Sequence, residues 1–268
     1  MRRIPQLFDL TGRVALVTGG AGHIGLAACE ALTEQGAIVV VSDLRQEACD
    51  ARARSLCDHV GREDAAIGIA ADLSSEPHVR GLVADAETRF GRLDVVIHNA
   101  AFTGATRRPG WAEPFASQSL DAWRAAMAVN LDSAFVLAQA AAPALAAAPA
   151  GAVLLVGSIY GVLGPQWSLY EDTAMVNPAA YGASKAGLIQ LARYLATAMA
   201  PVRVNAMSPG GVLRGQDERF RARYEERTPL GRMAVEEDFK GAVAFLVSDA
   251  AAYVTGQNLM VDGGWTAW

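Results

Sequence analysis

Arg13-Val-Ala-Leu-Val-Thr18-Gly-Gly-Ala-Gly-His-Ile-Gly25 decides how this chain is read. A short apolar run ends in glycines, and helical spacing then continues from Ile24 to Gln35, before Gly36. That order reads as a buried parallel strand, a tight turn and a helix. Gly20, Gly22 and Gly25 fit the G-x-G-x-x-G spacing. The first glycine allows the turn, the middle one lets backbone approach a pyrophosphate, and the last permits close helix–strand packing. Free N–H groups at the helix N-terminus suit an anion. Glycine turns are common, so the spacing alone is weak. Strand, turn and helix in this order point to a dinucleotide site.

Working outward, strands alternate with helices from end to end. Further buried strands are expected at 37–42, 65–70, 93–98, 152–156, 201–207 and 258–261. Helices are expected at 44–60, 76–90, 119–142, 178–200, 216–226 and 235–248. This predicts an α/β fold: a single Rossmann domain over 1–268, with a doubly wound parallel sheet of about seven strands. Two segments, 102–118 and 161–177, are longer than connections need, and such loops bind ligands at the carboxyl ends of strands.

Asp43 ends the second strand, about twenty residues after the glycine turn, where a carboxylate accepts ribose hydroxyls and repels a 2′-phosphate. Arg45 lies close enough to receive that phosphate instead. Asp43 is weighted more heavily because it sits at the strand end, which favours NAD over NADP. Asp72-Leu73 ends the third strand similarly and would border the adenine.

The chemistry concentrates around Tyr181-Gly-Ala-Ser-Lys185. Only Tyr181 of the six tyrosines has a lysine four residues on, and Lys185 and Lys240 are the only lysines among 23 basic side chains. Residues four apart share a helix face. A phenol has a pKa of about 10, and a neighbouring ammonium lowers it, fitting the pair for proton transfer. Ser158 follows the fifth strand and would bond a substrate oxygen, or cap a turn. Asn130 sits in an apolar helical stretch, where it serves a proton path or bonds locally; Asn99 has the same two readings. A nucleophile elbow is excluded, because Val156 and Tyr160 occupy the glycine positions around Ser158 and every histidine precedes it. No histidines cluster with carboxylates at metal spacing, so no catalytic metal is expected.

Composition narrows the class. A net charge of −5 over 268 residues, with no basic block beyond Arg107-Arg108 and 219–223, gives nucleic-acid binding little support. Cys29, Cys49 and Cys57 lack disulfide or metal spacing, which suggests a reduced, cytoplasmic protein. The most apolar stretch, 135–156, is broken by Gln139, Pro143 and Pro149 and reads as helix, loop and strand, not a membrane span. Pro5 and Asp9 break the basic start, so no signal peptide is expected.

Taken together, the chain resembles the short-chain dehydrogenase/reductase family over essentially its full length. The matches are Thr18–Gly25, Asp72, His98-Asn99-Ala100-Ala101, Asn130, Ser158, Tyr181-x-x-x-Lys185, Ser208-Pro209-Gly210-Gly211 and Thr255-Gly256-Gln257 with Val261-Asp262-Gly263-Gly264. The resemblance implies Tyr181 as general acid/base, with Lys185 lowering its pKa and holding the nicotinamide ribose. It implies Ser158 orienting the reacting oxygen and Asn130 supporting a proton relay through Lys185. The cofactor would lie against Gly19, Gly22, His23, Ile24, Gly25, Asp43, Leu44, Asp72, Leu73, Asn99, Ala100 and Ala101. Tyr181, Lys185, Pro209, Gly210, Gly211 and Val212 would complete its site.

Departures from the family pattern are His23 in place of Gly or Ala, Ala101 in place of Gly, and Arg214 near a common Thr. The Gly19-x-x-Gly22-x-x-Gly25 spacing also resembles the larger, sugar-nucleotide-modifying branch. Roughly ten extra residues separate Ser158 from Tyr181. That insert is similar to one in flagellin-modification oxidoreductases of legionaminic-type sugar pathways. It places Trp167, Tyr170 and Glu171, with Tyr160, Ser158 and Tyr181, as expected substrate contacts for a sugar, sugar acid or sugar nucleotide. An NADPH-dependent 3-oxoacyl reductase and a non-catalytic nucleotide sensor are the alternatives. A homotetramer packed through helices 119–142 and 178–200 is expected by family analogy, with a small-molecule substrate and no nucleic-acid or membrane partner.

Overall fold

The computed structural model describes residues 1–102 and 108–268. The interior of the expected 102–118 loop, with Arg107, lies outside the described residues. Seven parallel strands form one sheet in the order β3-β2-β1-β4-β5-β6-β7. They are β1 (Val14–Thr18), β2 (Ile38–Asp43), β3 (Ala66–Ala70), β4 (Val95–His98), β5 (Ala152–Val156), β6 (Arg203–Pro209) and β7 (Asn258–Val261). The helices are α1 (Ile4–Phe8), α2 (His23–Glu34), α3 (Gln46–Val60), α4 (Glu76–Phe90), α5 (Leu120–Met127) and α6 (Ser133–Ala147). They continue with α7 (Ala179–Ala198), α8 (Glu218–Arg227) and α9 (Lys240–Val247).

Both faces of the sheet are covered, and the strands sort their side chains with a period of two. Val14 and Leu16 join one core with Val40, Val96, Val153 and Leu155, against α4, α6 and α7. Ala15 and Val17 join the other with Val39, Val41, Ile97 and Leu154, against α2, α3 and α9. Apolar residues on both faces explain why the strands read as continuous apolar runs. From β1 the chain builds outward through β2 and β3, then returns to add β4 on the other side. The crevice at the carboxyl ends of β1 and β4 is the switch point where such sheets bind ligands.

Several boundaries differ from expectation. The expected strand 201–207 runs from Arg203 to Pro209 instead. Helix 119–142 continues through Pro143 to Ala147. It ends where Ala148, before Pro149, turns extended at ψ 144°. A π-turn, Ala128–Asp132, interrupts the same helix. The expected helix 235–248 begins as a 3₁₀ turn, Glu236–Phe239, before α9. α1 has no buried residue and no counterpart in the sequence reading. The stretch Leu120–Ala147 is long and apolar enough, by length and composition, to cross a membrane. In the fold, its Ala134, Leu137, Ala141 and Leu145 are packed into the core beside the sheet.

Candidate active site

The glycine turn is held by contacts a side chain would break. Gly19 adopts φ +63°, and a Cβ there would lie 2.8 Å from Ala100 Cα. At Gly25 a Cβ would lie 2.0 Å from the Gly19 carbonyl oxygen, so the first turn of α2 packs on the turn itself. Gly22, just before α2, meets nothing closer than 3.4 Å and leaves its backbone approachable. Asn99 latches this turn to β4: its Nδ2 donates to the carbonyls of Thr18 at 3.2 Å and Gly19 at 3.1 Å. Its side chain is thus taken up by bonds to a segment distant in the chain. Thr18 Oγ1 accepts from the backbone N–H groups of Asn99 and Ala100 at 3.2 and 3.3 Å.

A cavity of about 640 Å³ opens over this turn and runs to Tyr181. Its wall includes Gly19, Gly22, His23, Ile24, Asp43, Asn99, Ala100 and Ala101. Pro209, Gly210, Gly211 and Val212, from the end of β6, line it too. Gly25 packs beneath. Asp43 takes the N–H of Leu44 on one carboxylate oxygen at 2.8 Å. Leu44 itself is 66% exposed and outside the cavity wall. Asp72 and Leu73 are likewise outside it. Asp72 accepts from the Ser74 backbone and hydroxyl at 2.9 and 2.7 Å, which holds its carboxyl below the usual range, and Leu73 packs on the core.

The chemical end lies where β5 and α7 meet. Tyr181 and Lys185 share one face of α7, with the ammonium 5.8 Å from the ring centroid. Lys185 is buried and donates to the Val156 carbonyl at 2.7 Å. Burial pushes its pKa down to about 8. Tyr181 corrects the expectation of a lowered phenol pKa. Burial raises it, while the Ser158 hydroxyl and the Arg214 charge pull the other way. The phenol is thus held protonated at neutral pH. Ser158 follows β5, and its hydroxyl accepts from the Tyr160 N–H at 3.2 Å. This is the turn-cap reading of Ser158, and the residue also lines the cavity.

Asn130 is fully buried inside the π-turn. Its Oδ1 accepts from the Phe102 N–H at 2.6 Å, and its Nδ2 donates to Ser184 Oγ at 2.9 Å. The side chain thus ties α5–α6 to α7 one residue from Lys185, without bonding Lys185. Wide turns of this kind favour functional positions. His98 is buried neutral, its pKa held down to about 3 by burial and by the Lys185 charge. Ser133 Oγ donates to Val129 at 2.7 Å, so it accepts from His98 Nε2 at 2.7 Å. The ring is a structural histidine.

The insert between Ser158 and Tyr181 supplies part of the cavity wall. Tyr170, Met175, Val176 and Asn177 line the cavity with Tyr160. Tyr160 and Tyr170 share a hydroxyl contact of 2.6 Å, and Asn177 Nδ2 donates to Tyr170 at 3.2 Å. Two expected contacts are corrected. Trp167 is 57% exposed and only backs Tyr170, with ring centroids 5.9 Å apart. Glu171 borders a separate outer groove with Arg223 and Trp268, where Arg223 bonds its carbonyl at 2.6 Å. In the short helical turn Trp167–Leu169 only Leu169 is buried.

The sequence reading missed another part of the wall. Phe220 and Tyr224 of α8, Met233, Trp111 and Gln216 also line the cavity, together with Arg214. Tyr170 packs on Phe220 at 5.3 Å, and Tyr224 stacks on Trp265 at 4.2 Å. The Tyr224 hydroxyl accepts from the Gly211 N–H at 2.6 Å. The i, i+4 pair of aromatics in an otherwise charged helix was the available signal. Among the described residues no group of three or more His, Cys, Asp or Glu side chains could hold a metal.

A family model described as enoyl-(acyl carrier protein) reductase matches residues 19–266. The cis-4-hydroxycyclohexanecarboxylate dehydrogenase of Sinomonas cyclohexanicum is 38% identical over 264 residues, covering 95% of this chain and 97% of that protein. The galactitol 2-dehydrogenase (L-tagatose-forming) of Cereibacter sphaeroides is 34% identical over 273 residues, covering 98% of each. The crystal structure of a gluconate 5-dehydrogenase from Burkholderia cenocepacia, in complex with NADP and tartrate, matches with a TM-score of 0.86 at 30% identity. That likeness covers 99% of this chain and 100% of the other. These likenesses span nearly the whole chain, and the chain belongs to the short-chain dehydrogenase/reductase family of NAD(P)-dependent oxidoreductases acting on CH–OH groups.

Proposed function

We propose that this protein is an NAD-dependent dehydrogenase interconverting a secondary alcohol and a ketone on a polyhydroxylated substrate: a sugar, sugar acid or sugar nucleotide. The observation that carries the reading is the single cavity that has Asp43 at one end and Ser158 and Tyr181 at the other. The dinucleotide fits the residues present. Gly19, Gly22 and the N-terminus of α2 would hold its phosphates, and Asp43 its ribose. The bound nicotinamide supplies hydride exchange with the substrate carbon.

The chain's own residues handle the proton and the geometry. Protonated Tyr181 gives its proton to the carbonyl oxygen in reduction and recovers it in oxidation. Ser158 orients that oxygen. Lys185, with a pKa near 8, supplies a positive charge beside the phenol around neutral pH. Asn130 positions α7, and with it both groups. The Tyr160–Tyr170–Asn177 hydroxyl and amide network supports a polyol-like substrate over a plain acyl chain. The relatives named for galactitol, gluconate and a hydroxylated ring acid point the same way. The proposal does not extend to the flagellin-modification subgroup that the insert resembles.

A cytoplasmic homotetramer belongs to the same reading. Leu120, Trp123 and Phe135 of α5 and α6, and Tyr194 of α7, are exposed where subunits would pack. Light scattering on the purified protein checks the assembly. The decisive experiment is a panel of polyols, sugars and sugar acids, read by NADH absorbance with NAD and NADP in parallel. Turnover with NAD well above that with NADP is expected; a strong preference for NADP would overturn the cofactor assignment.

A further inference from the structure

Arg214 stands in the cavity wall between β6 and α8, in the company of Tyr170, Tyr181 and Phe220. Its Nε donates to Glu236 Oε1 at 3.2 Å, and its backbone N–H to Gln216 Oε1 at 2.7 Å. The same Glu236 oxygen contacts His23 Nδ1 at 3.1 Å. Glu236 therefore fixes the guanidinium by one edge. Neither Nη1 nor Nη2 bonds any described residue, and the side chain is 35% exposed. Lys185, the other lysine or arginine in the wall, is committed to the Val156 carbonyl. Two parallel N–H donors in a planar fork match the paired oxygens of a carboxylate or a phosphate.

Two anions compete for such a fork: the pyrophosphate of the dinucleotide and an anionic group on the substrate. The glycine turn and the N-terminus of α2 already offer backbone N–H groups to a pyrophosphate. Arg214, from the loop after β6, lines the same cavity as Tyr170, Tyr181 and Phe220, and its charge favours the ionised form of the Tyr181 phenol. We propose that Arg214 is the anion anchor of the substrate side, so that the alcohol or ketone handled here carries a carboxylate or phosphate received by Nη1 and Nη2. Glu236 is the positioning residue that presents this fork. The inference rests on the dehydrogenase reading above and narrows its substrate class.

The test is a binding measurement that needs no turnover. Wild-type enzyme saturated with NADH, which occupies the pyrophosphate site, is titrated with tartrate, inorganic phosphate and neutral galactitol by calorimetry. At least one anion should bind the wild type. Arg214→Gln should weaken it by about tenfold or more, and Arg214→Lys, which keeps charge without the fork, by less. Glu236→Gln should give an intermediate loss, and the NADH Kd of Arg214→Gln should stay within about twofold of wild type. Tartrate without phosphate assigns a carboxylate; the reverse assigns a phosphate. Failure of both anions to bind, or unchanged binding to Arg214→Gln, would overturn the anchor. So would a tenfold loss of NADH affinity in that variant, which would assign Arg214 to the dinucleotide. If wild type binds no NADH, the dehydrogenase reading itself falls, and the anchor with it. Thermal melting of each variant separates these results from misfolding.

Discussion

The two ends of the cavity are built by opposite means. At the glycine turn the wall is backbone, and what matters is where side chains are missing: a Cβ at Gly25 would lie 2.0 Å from the Gly19 oxygen. At the substrate end the wall is side chain. It is assembled from the insert, α8 and the loop after β6, whose aromatic rings and hydroxyls meet only in three dimensions. A backbone site tolerates little change and serves a constant ligand. A side-chain site can be altered residue by residue without disturbing the sheet, so on the proposed function it is where specificity would be set.

The sharpest way to break this division is at its meeting point. Tyr181→Phe keeps the ring and removes the proton, so kcat should fall by at least about a hundredfold while NADH affinity holds. Near-normal turnover would remove Tyr181 from the mechanism.

Next in size is a pair of glycine substitutions. Gly25→Ala should cost about 2 kcal/mol or more of stability, because the added methyl meets fixed backbone. Gly22→Ala has 3.4 Å of clearance and should melt close to wild type while binding NADH less tightly. Equal melting temperatures for the two would contradict the packing role assigned to Gly25.

Lys185 offers a comparison within the catalytic end, between function and stability. Its folded pKa near 8 lies below the ordinary lysine value of 10.5. Between those values the unfolded chain binds more protons, so stability rises with pH across that window. Below about pH 8 the fold carries the full cost of the buried charge. Lys185→Met should therefore lose activity yet stabilise the protein at pH 7, by on the order of 2 kcal/mol. The gain should shrink toward pH 10. Denaturant melts at both pH values check this; a variant less stable at pH 7 would show that the bond to Val156 outweighs the desolvation.

The smallest expected effects divide the insert itself. Tyr170→Phe and Asn177→Ala should raise KM for the true substrate by roughly threefold to tenfold, with NADH affinity intact. Trp167→Ala and Glu171→Ala should change KM by less than about twofold, because one is mostly exposed and the other faces the outer groove. The opposite ranking would mean that the insert rearranges when substrate binds.

The sequence by itself determined the sheet, the glycine turn and the Tyr181–Lys185 pair. These follow from rules local in the chain: apolar runs bounded by glycines, and residues four apart on one helix. It also placed Ser158 and Asp43 at strand ends, because the ends of parallel strands gather at one edge. Only the tertiary structure decided that Asn130 bonds Phe102 and Ser184, that Trp167 and Glu171 turn away, and that Phe220, Tyr224 and Arg214 turn in. It likewise decided the phenol's pKa, since burial outweighs the charges around Tyr181. The reason is common to all of them. Burial and contact between segments distant in the chain depend on how whole elements pack, and neither spacing nor composition encodes that packing locally.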